Sequence, residues 1–223
     1  MPPNTFETID LNKLEYKEPH KNKQGGTIIR ISQVPGSIDP KDRLRFQMSE
    51  DHRTNLLCAP WGLAAPMAGM DTSNRKLDVT IESDALLKFL RELDNKNLMA
   101  ATYWFRNSIS RAQIEKMHVP IVRPPYKNGL KSTVRVNVSV NERCPTEIYV
   151  VTDDSTLDIK FGKGYREGSH CDLTKGSKML IMVEITELCF APTQFGCSLH
   201  AVTILVWPKK RSSGINSLAL ATI

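Results

Sequence analysis

The chain has 223 residues, 40% of them hydrophobic and 24% charged. That length suits one large domain or two small ones, with enough apolar mass to pack a core and too much for a disordered chain. No run approaches the roughly 20 apolar residues of a membrane span, and the start MPPNTFETIDLNK lacks the apolar stretch of a secretory signal, so a soluble, intracellular protein without membrane contact is expected. The five cysteines, Cys58, Cys144, Cys171, Cys189 and Cys197, are odd in number and scattered, which argues against a disulfide framework and for reduced thiols.

In chain order, residues 1–26 are polar and basic, with Lys17, Lys21 and Lys23 around Pro19 and a Gly25-Gly26 pair. They read as a mobile arm or a short edge element. Residues 27–34 (TIIRISQV) form a strand, followed by turns at Pro35-Gly36 and Asp39-Pro40. A second short strand covers 43–48. Residues 55–70 are apolar but broken by prolines and glycines, which predicts a packed loop, and Trp61 within it is assigned to the core. A strand is expected at 77–81.

The clearest helix starts at Ser83, whose hydroxyl can accept hydrogen bonds from first-turn amides. Leu86, Leu87, Leu90 and Leu93 with Phe89 follow helical spacing, and Asp94-Asn95 reads as its close, with 100–105 extending it or opening a second helix. After His118 three prolines, Pro120, Pro124 and Pro125, hold the chain extended. Residues 133–140 alternate strictly. Val134, Val136, Val138 and Val140 face one way, and Arg135, Asn137 and Ser139 face the other, as in a half-buried strand with a polar, basic outer face. Further strands are expected at 146–152, 178–190 and 195–207, the last two joined by a hairpin-sized loop. The pattern is mainly β, a small antiparallel barrel or sandwich carrying one main inserted helix, over a domain of residues 27–208 and a tail of 209–223.

The net charge is +6, and its distribution is uneven. From residue 103 to 143 there are eight basic residues against two acidic ones, so this window carries the whole excess and the rest of the chain balances. A one-sign cluster attracts polyanions. Aromatic residues are interleaved with it: Tyr103, Trp104 and Phe105 run into Arg106, and Tyr126 lies between Arg123 and Lys127. Rings that stack on bases beside cations that follow phosphates are what a single-strand binder needs. The candidate nucleic-acid-binding residues are therefore Tyr103, Trp104, Phe105, Arg106, Arg111, Arg123, Tyr126, Lys127, Lys131 and Arg135, expected to share one groove. Lys209, Lys210 and Arg211 after Pro208 form a candidate nuclear-import signal, equally readable as a solvated strand end.

Other chemistries find little support. His170-Cys171, Cys189 and Cys197 lack the spacing of a zinc site, and Cys189 and Cys197 read as core residues. Gly162, Gly164 and Gly168 lack a phosphate-loop pattern and read as a hairpin turn. Asp153, Asp154 and Asp158 could form a metal-binding trio, but Asp and Ser are ordinary turn residues in VTDDSTLD. No catalytic residue, metal or cofactor is assigned.

Four landmarks taken together, 55–63 (NLLCAPWGL), 85–94 (ALLKFLRELD), the Trp104-Phe105 pair leading to 118–126 (HVPIVRPPY) and 183–207 (VEITELCFAPTQFGCSLHAVTILVW), resemble in order and spacing the single-stranded DNA-binding proteins of the bacteriophage T7 type, as found in large DNA viruses of eukaryotes. The resemblance spans about residues 43–208 and implies an OB-fold barrel with an added helix. It also implies binding of single-stranded DNA, with RNA as a related ligand, in replication, recombination or repair. Homodimerisation, contacts with replication or recombination proteins, and a place in the nucleus or a viral replication site follow from it. One departure is clear: such proteins end in an acidic, aromatic-terminated tail, whereas 209–223 contains no acidic residue. The alternative reading is a structural or minor virion protein with a basic surface turned to a genome or a neighbouring subunit. A metal-dependent enzyme built on the three aspartates is the remaining rival.

Overall fold

A computed structural model describes residues 5–22, 25–34, 36, 39, 42–49, 54–65, 73–125, 127–141, 144–158 and 162–209. Its strands are β1 (Glu15–Tyr16), β2 (His20–Lys21), β3 (Thr27–Ser32), β4 (Leu44–Gln47), β5 (Leu57–Cys58) and β6 (Asn74–Thr80). Two helices follow, α1 (Asp84–Phe105) and α2 (Arg111–Met117). After them come β7 (Val122–Arg123), β8 (Thr133–Ser139), β9 (Glu147–Val151), β10 (Tyr165–Glu167), β11 (Lys178–Ile185), β12 (Glu187–Phe190), β13 (Phe195–Cys197) and β14 (Leu199–Trp207).

Nine strands form one sheet in which the ladders return on themselves. β5 pairs with β6, β6 with β8, β8 with β14, β14 with β11, and β11 again with β5. The β14–β8 and β14–β9 ladders are parallel, which corrects the expectation of a purely antiparallel arrangement. Period-2 alternation sorts the side chains of this ring. Leu77, Val79, Val134, Val136, Val138, Met179, Ile181, Val183, Ile204 and Val206 fill the interior, each 0% exposed. The second sheet, β1-β3-β12-β13 with β2 on β3, continues from the far end of the β11–β14 hairpin.

Helix α1 covers the ring. The Ser83 hydroxyl accepts the Leu86 amide, and Leu86, Phe89, Leu90 and Leu93 form its buried stripe. The Phe89 ring meets Phe46 edge-on at 5.1 Å and Phe6 at 5.7 Å. The helix does not stop at Asp94-Asn95. Asp94 is buried and spends its carboxylate on the Ile121 amide, at 3.0 and 2.9 Å, while buried Asn97 accepts the Tyr16 hydroxyl at 2.8 Å. Asp94, which the sequence reads as part of an end, is held inside the helix by a tertiary partner, and α1 continues to Phe105. A second helix, α2, capped by the Ser110 hydroxyl on the Gln113 amide, is an addition to the single helix expected.

Of the two readings for 1–26, the described residues take the edge element rather than the mobile arm. β1 and β2 pair with β3, and the Phe6 ring is 2% exposed. The apolar pattern at 178–190 divides at Thr186 into β11 and β12, one strand in each sheet.

Candidate nucleic-acid interface

The outward faces of β6 and β8 set the site. Their register places Asp78 opposite Arg135, Thr80 opposite Thr133 and Lys76 opposite Asn137. Because Val134, Val136 and Val138 point inward, Arg135 must point outward. There its Nε and one Nη donate to the two carboxylate oxygens of Asp78 at 2.7 and 2.8 Å. Arg123 on edge strand β7 lies 4.0 Å from the same carboxylate, and Lys76 bonds to the Asn137 side chain. The Arg135 hydrogen bonds hold the Asp78 carboxyl below its ordinary pKa, and Asp78 in turn raises that of the Arg135 guanidinium. Burial pushes Lys76 and Arg123 down, with the other cations adding to it. Three cations around one carboxylate leave the patch positive.

Beside this patch lies a cleft of about 540 Å³, a size usual for ligand sites. Pro60 and Trp61 form one wall, Pro124, Pro125 and Leu130 the other, and Asp78, Thr80, Thr133, Arg123, Glu82 and Lys131 provide its polar groups. Glu82 and Lys131, both lining it, form an ion pair.

The placement of Trp61 follows from its neighbours. Ala59 on one side is buried and its amide donates to Ser177, while Leu63 on the other donates to the Leu173 carbonyl and bridges to Leu77. Gly62 has φ +76°, and a Cβ there would lie 3.0 Å from the Lys175 nitrogen and 3.1 Å from the Leu173 oxygen. The chain thus turns tightly at Pro60-Trp61-Gly62 and puts the indole outside, 57% exposed, with the Lys175 ammonium 5.7 Å from the ring centre. This corrects the assignment of Trp61 to the core. The signal was available: a tryptophan between proline and glycine sits at a turn apex, not in a strand.

The candidate residues from the sequence do not share one groove. Arg123 and Lys131 line the cleft, and Arg135 adjoins it through Asp78. Lys127 is exposed on the connection between β7 and β8. Tyr126 lies outside the described residues. The others stand at the opposite end of α1, whose 22 residues span about 33 Å, with Glu82 of the cleft just before its start. There Tyr103 is 57% exposed, with the Arg106 guanidinium 5.1 Å from its ring centre. Trp104 and Phe105 are half-buried, Phe105 lying 4.6 Å from Phe190. Arg111 on α2 is paired with Glu115 at 2.9 Å. Lys209 is exposed, and Lys210 and Arg211 lie outside the described residues.

Elsewhere the turn readings hold. Asp153 accepts from Ser155 and Thr156, and Asp154 accepts the indole N–H of Trp207, half-buried at the end of β14, at 2.9 Å. Among the described residues no group of three or more His, Cys, Asp or Glu side chains is placed to hold a metal ion. All five cysteines are free thiols. Cys197 packs against the core, but Cys189 is exposed and donates to Glu187, which corrects its core assignment. A larger groove of about 800 Å³ runs along Lys17, His20, Arg30 and Arg43. Glu18, Asp39, Asp42 and Glu187 outnumber its Lys and Arg residues, and none of the described residues that line it is Trp, Tyr or Phe.

No family model matches the chain, and no curated protein does. Among solved structures it is similar to the single-stranded DNA-binding protein gp2.5 of bacteriophage T7. That match has a TM-score of 0.45 and 10% identity, covering 77% of this chain and 96% of that one. It is also similar to the single-stranded DNA-binding protein of bacteriophage Enc34, solved in complex with single-stranded DNA, with a TM-score of 0.42 and 10% identity, over 89% of this chain and 98% of that one.

Proposed function

We propose that the chain binds single-stranded DNA through the Trp61 cleft, largely without sequence preference, and serves where unpaired strands are exposed, in replication, recombination or repair. The observation that carries this reading is an exposed indole on a turn pinned from both sides, at a cleft that Arg123 and Lys131 line and Arg135 adjoins. A ring of that kind stacks on any base, contributing about 1–3 kcal/mol, and the cations follow the phosphates. Stacking needs an unpaired base, so the cleft favours single strands over duplex.

The ring of ladders supports the same reading. Five strands in chain order, β5, β6, β8, β11 and β14, form an OB-like barrel. In that architecture oligonucleotides bind on the face of the second and third strands and on the loop between the first and second. Those places are the β6–β8 face with Asp78, Lys76 and Arg135, and the β5–β6 connection with Trp61.

Titration of labelled oligo-dT over a salt series tests the proposal. Affinity should fall steeply with salt, and Arg123→Ala, Lys131→Ala and Arg135→Ala should each weaken binding and flatten the slope, by less than the roughly 0.7 of an unpaired cation. Tyr103→Ala, Arg106→Ala and Arg111→Ala, at the other end of α1, should leave it unchanged. Equal affinity for duplex and single strand, or no salt slope, rejects the reading. An oligo-U arm reports whether the sugar matters.

A further inference from the structure

We propose that Asp78 and Glu82 are intramolecular phosphate surrogates, which lower the affinity of the Trp61 cleft and hasten release of its strand. The inference rests on the cleft being a single-strand site and names how that site is regulated.

The geometry is that of competition. Asp78 takes both donors of Arg135 at 2.7 and 2.8 Å, the two-point pairing by which an arginine grips a phosphate. Its Oδ1 also lies 4.0 Å from Arg123. Glu82 pairs with Lys131. Two carboxylates thus engage three of the cations available to a strand, and both line the cleft itself.

Accessibility separates these pairs from a structural one on the same sheet. The Asp78 and Glu82 side chains are 23% and 34% exposed, so an incoming phosphate can reach and displace them. Glu184, held by Arg43 at 2.8 Å and Arg45 at 2.5 Å, is 9% exposed and sealed. A phosphate arriving at Arg135 must exchange one ion pair for another. The gain is only the difference between the two pairs. The cations, already neutralised by protein carboxylates, also release fewer counterions than their number suggests.

The test compares Asp78→Asn and Glu82→Gln with Glu92→Gln. The last makes the same charge change on the exposed face of α1, 3.9 Å from Lys88 and away from the cleft. Each variant is melted to check folding, then titrated with oligo-dT over a salt series, and its dissociation is timed by stopped flow. Asp78→Asn and Glu82→Gln should bind about threefold tighter or more at low salt. Their salt slopes should steepen by about 0.7 per cation freed, with slower dissociation. Glu92→Gln should leave the slope unchanged. If the two cleft variants bind no tighter than Glu92→Gln, or bind more weakly, the carboxylates only position the cations and the proposal is overturned. If the unaltered, folded protein does not bind oligo-dT, it is the reading of the cleft that fails instead.

Discussion

The Lys175 ammonium stands 5.7 Å from the centre of the Trp61 ring, joining the β5–β6 turn to the segment that enters β11. The contact orients an indole that the turn has already placed outside the core. Trp61→Ala should therefore weaken oligo-dT binding by about 1–3 kcal/mol while changing stability by less than about 0.5 kcal/mol. Fluorescence gives a second readout: quenching by the oligonucleotide should persist in Trp104→Phe and disappear in Trp61→Phe. Quenching that follows Trp104 would move the site to the far end of α1.

Gly62 is the hinge of that turn, with φ +76° and backbone from Leu173 and Lys175 within 3.1 Å of where a Cβ would sit. Gly62→Ala combines left-handed strain with a clash against backbone, so a loss of about 1–3 kcal/mol is expected. Affinity should fall with it, because the indole moves. Thermal melting and oligonucleotide titration of the same sample check both effects. A variant as stable as the parent would mean that the turn is not held as described.

Asp94 couples helix α1 to the chain leaving α2 through the Ile121 amide, and also lies 3.5 Å from His118 Nε2. Asp94→Ala strands a buried N–H and should cost about 1–3 kcal/mol, read as a lower midpoint in urea. An unshifted midpoint would contradict the bond.

Glu184 gives a pH dependence. Burial pushes its carboxyl up, but the Arg45 and Arg43 hydrogen bonds more than offset this, and its net pKa lies below the ordinary glutamate value of 4.5. A depressed carboxylate contributes stability that is fully present above the unfolded pKa and is lost as pH falls through the folded one. Melting temperature should drop as pH falls below about 4.5, and part of that drop should vanish in Glu184→Gln. Identical acid profiles for the two proteins would remove Glu184 from the account.

The sequence by itself determined what is local or periodic. Alternation in 133–139 sorted Val134, Val136 and Val138 from Arg135, and the stripe from Leu86 to Leu93 with Ser83 before it marked the start of α1. The charge count found the cationic window, and with it Arg123, Lys131 and Arg135. Tertiary structure alone decided what depends on distance through space. Asp94-Asn95 read as the helix end because the partner of Asp94, the Ile121 amide, lies far along the chain. A helix of about 33 Å separated Tyr103, Arg106 and Arg111 from the cleft, although linear spacing puts them beside Arg123. Trp61 and Lys175 met only because β5, β6 and β11 are neighbours in one sheet. Periodicity reports which face a side chain takes, whereas ladder register and helix length set which faces meet.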